Sequence, residues 1–287
     1  MSNVSEPIQG TISALFIYPV KSCAGLKLSQ TTVRSTGLAL DREWMVVDTN
    51  GHFLTQRAHP RMALIQPHLN AVEGVDRLTL SATGMNDLAL IAPDSPASLM
   101  VKVWRDSVPA LDMGDQVAEW LSEFLGTACR LVRFDKRERR ICDLEWTRNS
   151  ETSTYFADGF PLLVLSAAAI AQLNCRMSEA GRATVDVSRF RPNIVVSDWP
   201  AHLEDKVPGL VAPDVVLRFV KPCTRCAIPD IDPLTGLVTN RVNDILRDYR
   251  RDARMNGALT FGMNAVITRG AGETLKTGQV VYSDDTV

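Results

Sequence analysis

The chain has 287 residues, 45% hydrophobic and 22% charged, with 31 basic against 33 acidic side chains and a formal net charge of −2. That length supports one large domain or two ordinary ones with a substantial core. The near-balanced charge gives no global electrostatic case for binding nucleic acid or an anionic membrane. No apolar run is long enough to span a bilayer, and the polar start MSNVSEPIQG is neither a secretion signal nor a transit peptide. A cytoplasmic location and reduced cysteines are therefore expected, and Cys129 and Cys175 read as buried free thiols in apolar-patterned segments.

In chain order, the first hundred residues read as strands: ISALFIYPV ending at Pro19, LKLSQTTVR, EWMVV, HFLTQ, DRLTLSA, NDLALIA and SLMVKVW. Asn50-Gly51 between EWMVV and HFLTQ is a hairpin signal, and the close spacing of the strands suggests a barrel or sandwich. The first clear helix is GDQVAEWLSEFLG, where Val117, Trp120, Leu121, Phe124 and Leu125 form one apolar face between Asp115 and Gly126. CRLVRF then reads as a strand. Residues 135–158 are charged, polar and aperiodic, and are expected to form a linker or lid between an N-terminal domain, 8–134, and a second domain, 159–285. After it, PLLVLS reads as a strand, SAAAIAQLNCRMSEAG as a helix, and NIVVSD and DVVLRFVK as strands. RVNDILRDYRRDARM reads as an amphipathic helix, and LTFGMNAVIT and GQVVYS as closing strands.

The sharpest local feature is FVKPCTRCAIPDIDPLTG, where a strand is expected to end at Lys221 and turn at Pro222. Cys223 and Cys226 stand three apart beside Arg225, and Lys221 and Arg225 could supply a field that stabilises a thiolate. A structural zinc site needs a second ligand pair, and His52, His59, His68 and His202 are scattered. A thioredoxin-like pair needs a helix start, which Pro229 and Pro233 disfavour. Spacing alone leaves a functional pair and a buried or incidental pair both open, and does not separate Cys223 from Cys226. Lys21-Ser22 at the end of an apolar strand suits an anion, although by itself a plain polar strand end accounts for it better. Asp41-Arg42-Glu43-Trp44 and Phe190-Arg191-Pro192-Asn193 each offer an arginine that is either a phosphate clamp or a surface ion pair, with Asp41 readable as a simple ion-pair partner of its neighbours.

These four features, ISALFIYPVKSCAG, GLALDREWMVVD, RFRPNIVV and KPCTRCAIPDIDPLTG, together resemble the MOSC-domain proteins, from about residue 9 to about residue 284. The similarity is to the amidoxime-reducing component and its bacterial homologues, and to the C-terminal part of molybdenum cofactor sulfurase. It implies a mixed α/β, β-rich fold in which a β-barrel-like N-terminal domain packs on a MOSC β-barrel with flanking helices. It implies a molybdenum cofactor, with Cys226 as protein ligand to the metal and catalytic centre. Thr224 and Arg225 correspond to residues that hold the pterin; Lys21, Ser22, Arg42, Arg191 and Asn193 correspond to other cofactor contacts. Molybdopterin needs cationic donors at its phosphate and a soft sulfur ligand at the metal, which matches these residue types. The relatives carry a Thr-Ser pair after an aspartate, where this chain has Asp158-Gly159-Phe160-Pro161. Either backbone N–H groups around Gly159 replace the hydroxyls, or that part of the pocket differs.

The activity implied is reduction of N-oxygenated small molecules: amidoximes, hydroxylamines and N-hydroxylated bases. The alternative is a protein that carries the cofactor without turnover. No cysteine follows Cys226, so the tight four-cysteine pattern of a plant-type iron–sulfur cluster is absent. Electrons are expected from a separate donor protein of ferredoxin or flavin type, with no membrane and no nucleic acid involved.

Overall fold

The computed structural model describes residues 6–72, 75–239 and 241–284; residue 285, the expected end of the second domain, lies outside the described residues. The fold is β-rich. Seven strands, numbered here in chain order, close into a barrel: β1 Gln9–Ile17, β2 Leu162–Ser166, β3 Ile194–Ser197, β4 Gly209–Val211, β5 Val216–Thr224, β6 Ala258–Arg269 and β7 Val280–Asp284. Around the barrel the order is β1-β3-β2-β6-β5-β4-β7 and back to β1. Closure leaves these strands no free edge within the ring. β2 and β3 are parallel, which requires a crossover. Of the described α-helices, α1 Asp115–Leu125, α2 Ala167–Glu179 and α3 Val242–Tyr249, it is α2 that makes this crossover. Inward-facing Ile12, Leu15, Val164, Ile194, Val196, Leu217, Ala265 and Val281 fill the barrel, each Val, Leu or Ile contributing roughly 1.5–3 kcal/mol if fully buried.

β1 therefore pairs with β3 and β7 from the C-terminal half of the chain. The strand Gln30–Arg34 likewise pairs with Thr274–Lys276. The intervening N-terminal segment builds a four-stranded sheet from Trp44–Asp48, Cys129–Phe134, Asp106–Asp112 and Ser98–Val103, in that order. Its period-2 alternation buries both faces. Trp44, Val46, Cys129 and Leu131 pack with Val117, Leu121 and Phe124 of α1, while Met45, Val47, Val132 and Phe134 pack with Val101, Val103 and Phe156.

Several sequence expectations change at the level of elements. Asn50-Gly51 does make a turn, with Gly51 at φ +78° and its N–H donating to Asp48 O. The second arm, however, forms only single bridges, Val47 to Phe53 and His52 to Lys102, rather than a strand. Residues 241–255 are not one helix. α3 stops at Tyr249, Arg251–Asp252 pairs with β6, and the Asp252 carboxylate accepts from Arg254 N, an Asp side-chain bond that competes with helix continuation. Residues 135–158 pack into the protein. Asp135, Arg140, Cys142, Thr147, Thr154 and Phe156 are buried. Cys175 is exposed, because it faces away from the apolar side of α2, whereas Cys129 is buried as expected.

Candidate functional site

β1 gives way to Tyr18–Ser22, which lies beside residues 41–44: Arg42 N donates to Tyr18 O, Lys21 N to Trp44 O, and Tyr18 N to Asp41 Oδ1 at 2.7 Å. Phe156 N then donates to Arg42 O, bringing Ala157–Phe160 alongside. From the other side, Asn193 N donates to Leu163 O and Phe16 N to Asn193 O, which docks Phe190–Asn193 at the barrel end. The cysteine loop reaches the same place by a different route. β5 runs on through Pro222 and Cys223 to Thr224 rather than ending at Lys221, because two bulges against β6 absorb the proline. Between the pairs Pro222–Met263 and Thr224–Thr260, β6 carries one extra residue opposite Cys223, the kind of defect that re-aims side chains near sites.

Lys21, Ser22, Arg42, Asp158, Gly159, Arg191, Asn193, Thr224, Arg225 and Cys226 all line one cavity of about 110 Å³. Every sequence-selected position is thus brought to a single place. An adjoining chamber of about 350 Å³ shares Asp158, Gly159, Phe160, Cys223 to Cys226 and Asn264 as walls and adds Arg57, Trp104, Lys221 and Pro222.

The inner end of the cavity is cationic. Arg42 and Arg191 both stack on the Tyr18 ring, 4.3 and 4.2 Å from its centroid. Arg42 Nη1 donates to Asp41 and to Asn193 Oδ1 at 3.1 Å, and its Nη2 donates to Arg191 O. Arg191 Nη1 donates to Cys23 O at 2.7 Å. Burial first, and the Arg42 charge second, pull the Arg191 pKa down to about 10. Two guanidinium groups crowded around one ring form a field that an anion would relieve. Ser22, Arg42 and Arg191 also hold positive φ angles of 66°, 50° and 56°, strain that clusters at functional sites. Asn193 is fully engaged. Its Oδ1 accepts from Arg42 and Leu163 N and its Nδ2 donates to Phe16 O, so it holds the guanidinium in place at the cavity wall.

Lys21 Nζ donates to Phe156 O at 2.8 Å and pairs with Asp158. Burial drives the Lys21 pKa down, opposed by Asp158. The surroundings would raise the Asp158 pKa, but the Lys21 ammonium, with Trp104 and Arg42, holds it well below the usual carboxylate range. Trp104 Nε1 donates to the same Asp158 oxygen at 3.1 Å. Arg140 pins the segment from below, donating to Tyr155 O, Ala157 O and Asp158 O while paired with Asp106.

At the sulfur end the two cysteines differ. Arg225 Nη1 donates to Cys223 Sγ at 3.0 Å and Nη2 to Phe190 O. Burial raises the Cys223 pKa, and Arg225 opposes that. The expected cationic field therefore acts on Cys223, and Lys221 lies over the Trp146 ring instead. Cys226 is half-buried and lines both chambers, and its carbonyl is fixed by Asn243 Nδ2 at 2.7 Å. Among the described residues nothing hydrogen-bonds its sulfur, which leaves that atom available as a ligand. Tyr18 Oη and Arg225 Nε are buried without partners, a cost of about 1–3 kcal/mol each. Sequence reasoning missed Arg57, Trp104 and Asn264, which come from loops and a strand with no motif around them, and Arg140, which is hidden in a run of basic residues.

Residues 9–128 match the MOSC N-terminal beta barrel domain and residues 151–285 the MOSC domain. The chain is 35% identical to mitochondrial amidoxime-reducing component 1 of Mus musculus over 251 residues, covering 84% of this chain and 72% of that one. It is 34% identical to the Homo sapiens protein of the same name, covering 95% and 82%. The chain belongs to the MOSC-domain family of the amidoxime-reducing components. It is also 30% identical to molybdenum cofactor sulfurase of Danio rerio over 88% of this chain, which corresponds to 31% of that longer protein.

Against this MOSC-domain background, the Asp158-Gly159 departure has a clear geometry. A Cβ built at Gly159 meets no atom within 4 Å, so the glycine leaves open space at the cavity wall, while the Asp158 carboxylate is committed to Lys21 and Trp104. No described helix is long and apolar enough to cross a membrane.

Proposed function

We propose that this chain is a molybdenum-cofactor-dependent oxidoreductase that reduces N-hydroxylated substrates, namely amidoximes, hydroxylamines and N-hydroxylated bases, with electrons from a separate ferredoxin- or flavin-type donor protein. The observation that carries this reading is one cavity lined both by the cations Lys21, Arg42 and Arg191 and by an unengaged cysteine sulfur, Cys226. A cofactor with a phosphate and a thiophilic metal has those two needs. The relatives named for amidoxime reduction, which span most of the chain, support the same reading.

In this account Arg42, Arg191 and Lys21 bind the phosphate, with Ser22 as a hydroxyl donor, while Thr224 holds the pterin. Asn193 orients Arg42, Arg225 closes on the pterin with its free Nε, and Cys226 ligates the metal. Bound there, the cofactor supplies two-electron reduction of the N–O bond. Asp158 is no proton donor at neutral pH, since its carboxyl stays ionised; its part is to hold Lys21 and the indole of Trp104.

The sulfurase resemblance favours a second reading, a cofactor carrier without turnover. Protein purified from a host that makes the cofactor, assayed for molybdenum and for benzamidoxime reduction by a chemical donor, separates the two. Metal with turnover supports the reductase, metal without turnover the carrier, and no metal removes both.

A further inference from the structure

Several arginines of this chain are paired with carboxylates. Arg42, Arg130, Arg133, Arg137, Arg140, Arg189 and Arg250 each have an acidic partner within 4.0 Å. The outer chamber holds two cations outside such pairs. Arg57 and Lys221 line it, and among the described residues neither is paired with a carboxylate. Arg57 lies over the Trp104 ring at 4.6 Å and Lys221 over the Trp146 ring at 4.9 Å. The one carboxylate in the chamber wall, Asp158, is already occupied by Lys21 and Trp104 Nε1. Trp104 is held at a positive φ of 56° and remains 41% exposed. That angle is what the first position of the two-residue turn joining Val103 to Asp106 requires. The chamber shares Cys223, Thr224, Arg225 and Cys226 with the inner cavity, so a molecule reaching Cys226 through it passes these two cations.

We infer that the outer chamber selects substrates carrying an oxyanion at the end remote from the N–O group, with Arg57 and Lys221 as the specificity-determining residues and Trp104 as the flat wall beside them. This rests on the reductase reading above. The oxyanion is a carboxylate or a phosphate; both meet a guanidinium and an ammonium with charge-assisted hydrogen bonds. The chemistry balances without a further reactant: R–NH–OH, two electrons from the donor protein and two protons give R–NH2 and water.

The test compares benzamidoxime with 4-carboxybenzamidoxime, and an N-hydroxylated cytidine with its 5′-monophosphate, at low and high salt, using the holoenzyme. The expected result is a kcat/KM at least about tenfold higher for each anionic member, carried by KM and shrinking as salt screens it. In Arg57→Gln and Lys221→Gln the anionic-to-neutral ratio falls severalfold, and Arg57→Lys restores part of it. A preference in one pair alone identifies the carboxylate or the phosphate as the preferred oxyanion. Equal kcat/KM within both pairs, or variants that lower both members of a pair alike, overturn the inference while leaving N–O reduction intact. Absence of turnover with every substrate overturns the reductase reading itself.

Discussion

Tyr18 shows how much a single side chain organises here. Its ring carries Arg42 and Arg191, its backbone N–H takes Asp41, and its hydroxyl is buried without a partner. Cation–π contacts at desolvated sites are worth about 2 kcal/mol, which offsets part of the repulsion between the two guanidiniums. Replacing Arg191 by Gln removes a cavity cation and the bond to Cys23 O. We predict a fall in cofactor occupancy of roughly tenfold or more, the scale of one charge-assisted bond, with modest loss of thermal stability. Unchanged occupancy would remove its assigned role. Lys21, Arg42 and Arg191 stand out in sequence only together, through the resemblance to the MOSC-domain proteins; each alone reads equally as a polar strand end or a surface ion pair. Arg140 does not stand out. It is one of four basic residues within Lys136-Arg137-Glu138-Arg139-Arg140, and nothing local says which turns inward to meet three carbonyls.

At the scale of elements, the site depends on the irregular pairing of β5 and β6. The sequence LTFGMNAVIT reads as an uninterrupted strand, yet Gly262 sits at φ +80°, and a Cβ there would lie 2.0 Å from Leu165 Cδ2 and 2.8 Å from Val164 O. Gly262→Ala must therefore open the bulge opposite Cys223. Strain at such a backbone angle costs about 1–3 kcal/mol and the clash adds to it, so a drop of at least about 2 kcal/mol in urea unfolding is expected, together with reduced cofactor retention. An unchanged midpoint would mean that the bulge relaxes freely. The segment 135–158 offers a second element-scale test. Arg140→Gln leaves the carbonyls of Tyr155, Ala157 and Asp158 short of donors, costing roughly 3 kcal/mol and speeding proteolysis within residues 150–160. Its polar composition gave no hint of this burial, since the hydrogen bonds that allow it come from long-range contacts.

For the whole molecule, the first strand closes a barrel whose other six strands lie beyond residue 160. Strand existence was readable from β-rich runs, but ring order was not, because pairing of residues 9–17 with 280–284 leaves no local trace. Behind the barrel, His202 and Glu204 are buried next to β2. Burial, helped by Arg250, Lys206 and Arg176, lowers the His202 pKa to about 3; burial raises that of Glu204. The unfolded chain binds a proton at His202 below its ordinary value while the folded one does not. Stability is therefore lost as pH falls from about 6.5 toward 3, by at most about 1.4 kcal/mol per pH unit for this group. Glu204 acts in the opposite sense, costing stability as pH rises above the ordinary carboxylate range. Urea unfolding at pH 7 and pH 5 should show a smaller pH-dependent loss in His202→Gln than in the unmodified chain; equal losses would assign the acid sensitivity elsewhere.

The convergence of these scales on one sulfur is most directly tested by the molybdenum content of the chain and of its Cys226→Ser and Cys223→Ser variants, each made in a host that synthesises the cofactor. The account predicts stoichiometric molybdenum in the unmodified protein, retention in Cys223→Ser, and loss of the metal or of its sulfur ligation, read by X-ray absorption, in Cys226→Ser. Full metal content with unchanged sulfur ligation in Cys226→Ser, or loss confined to Cys223→Ser, would contradict it.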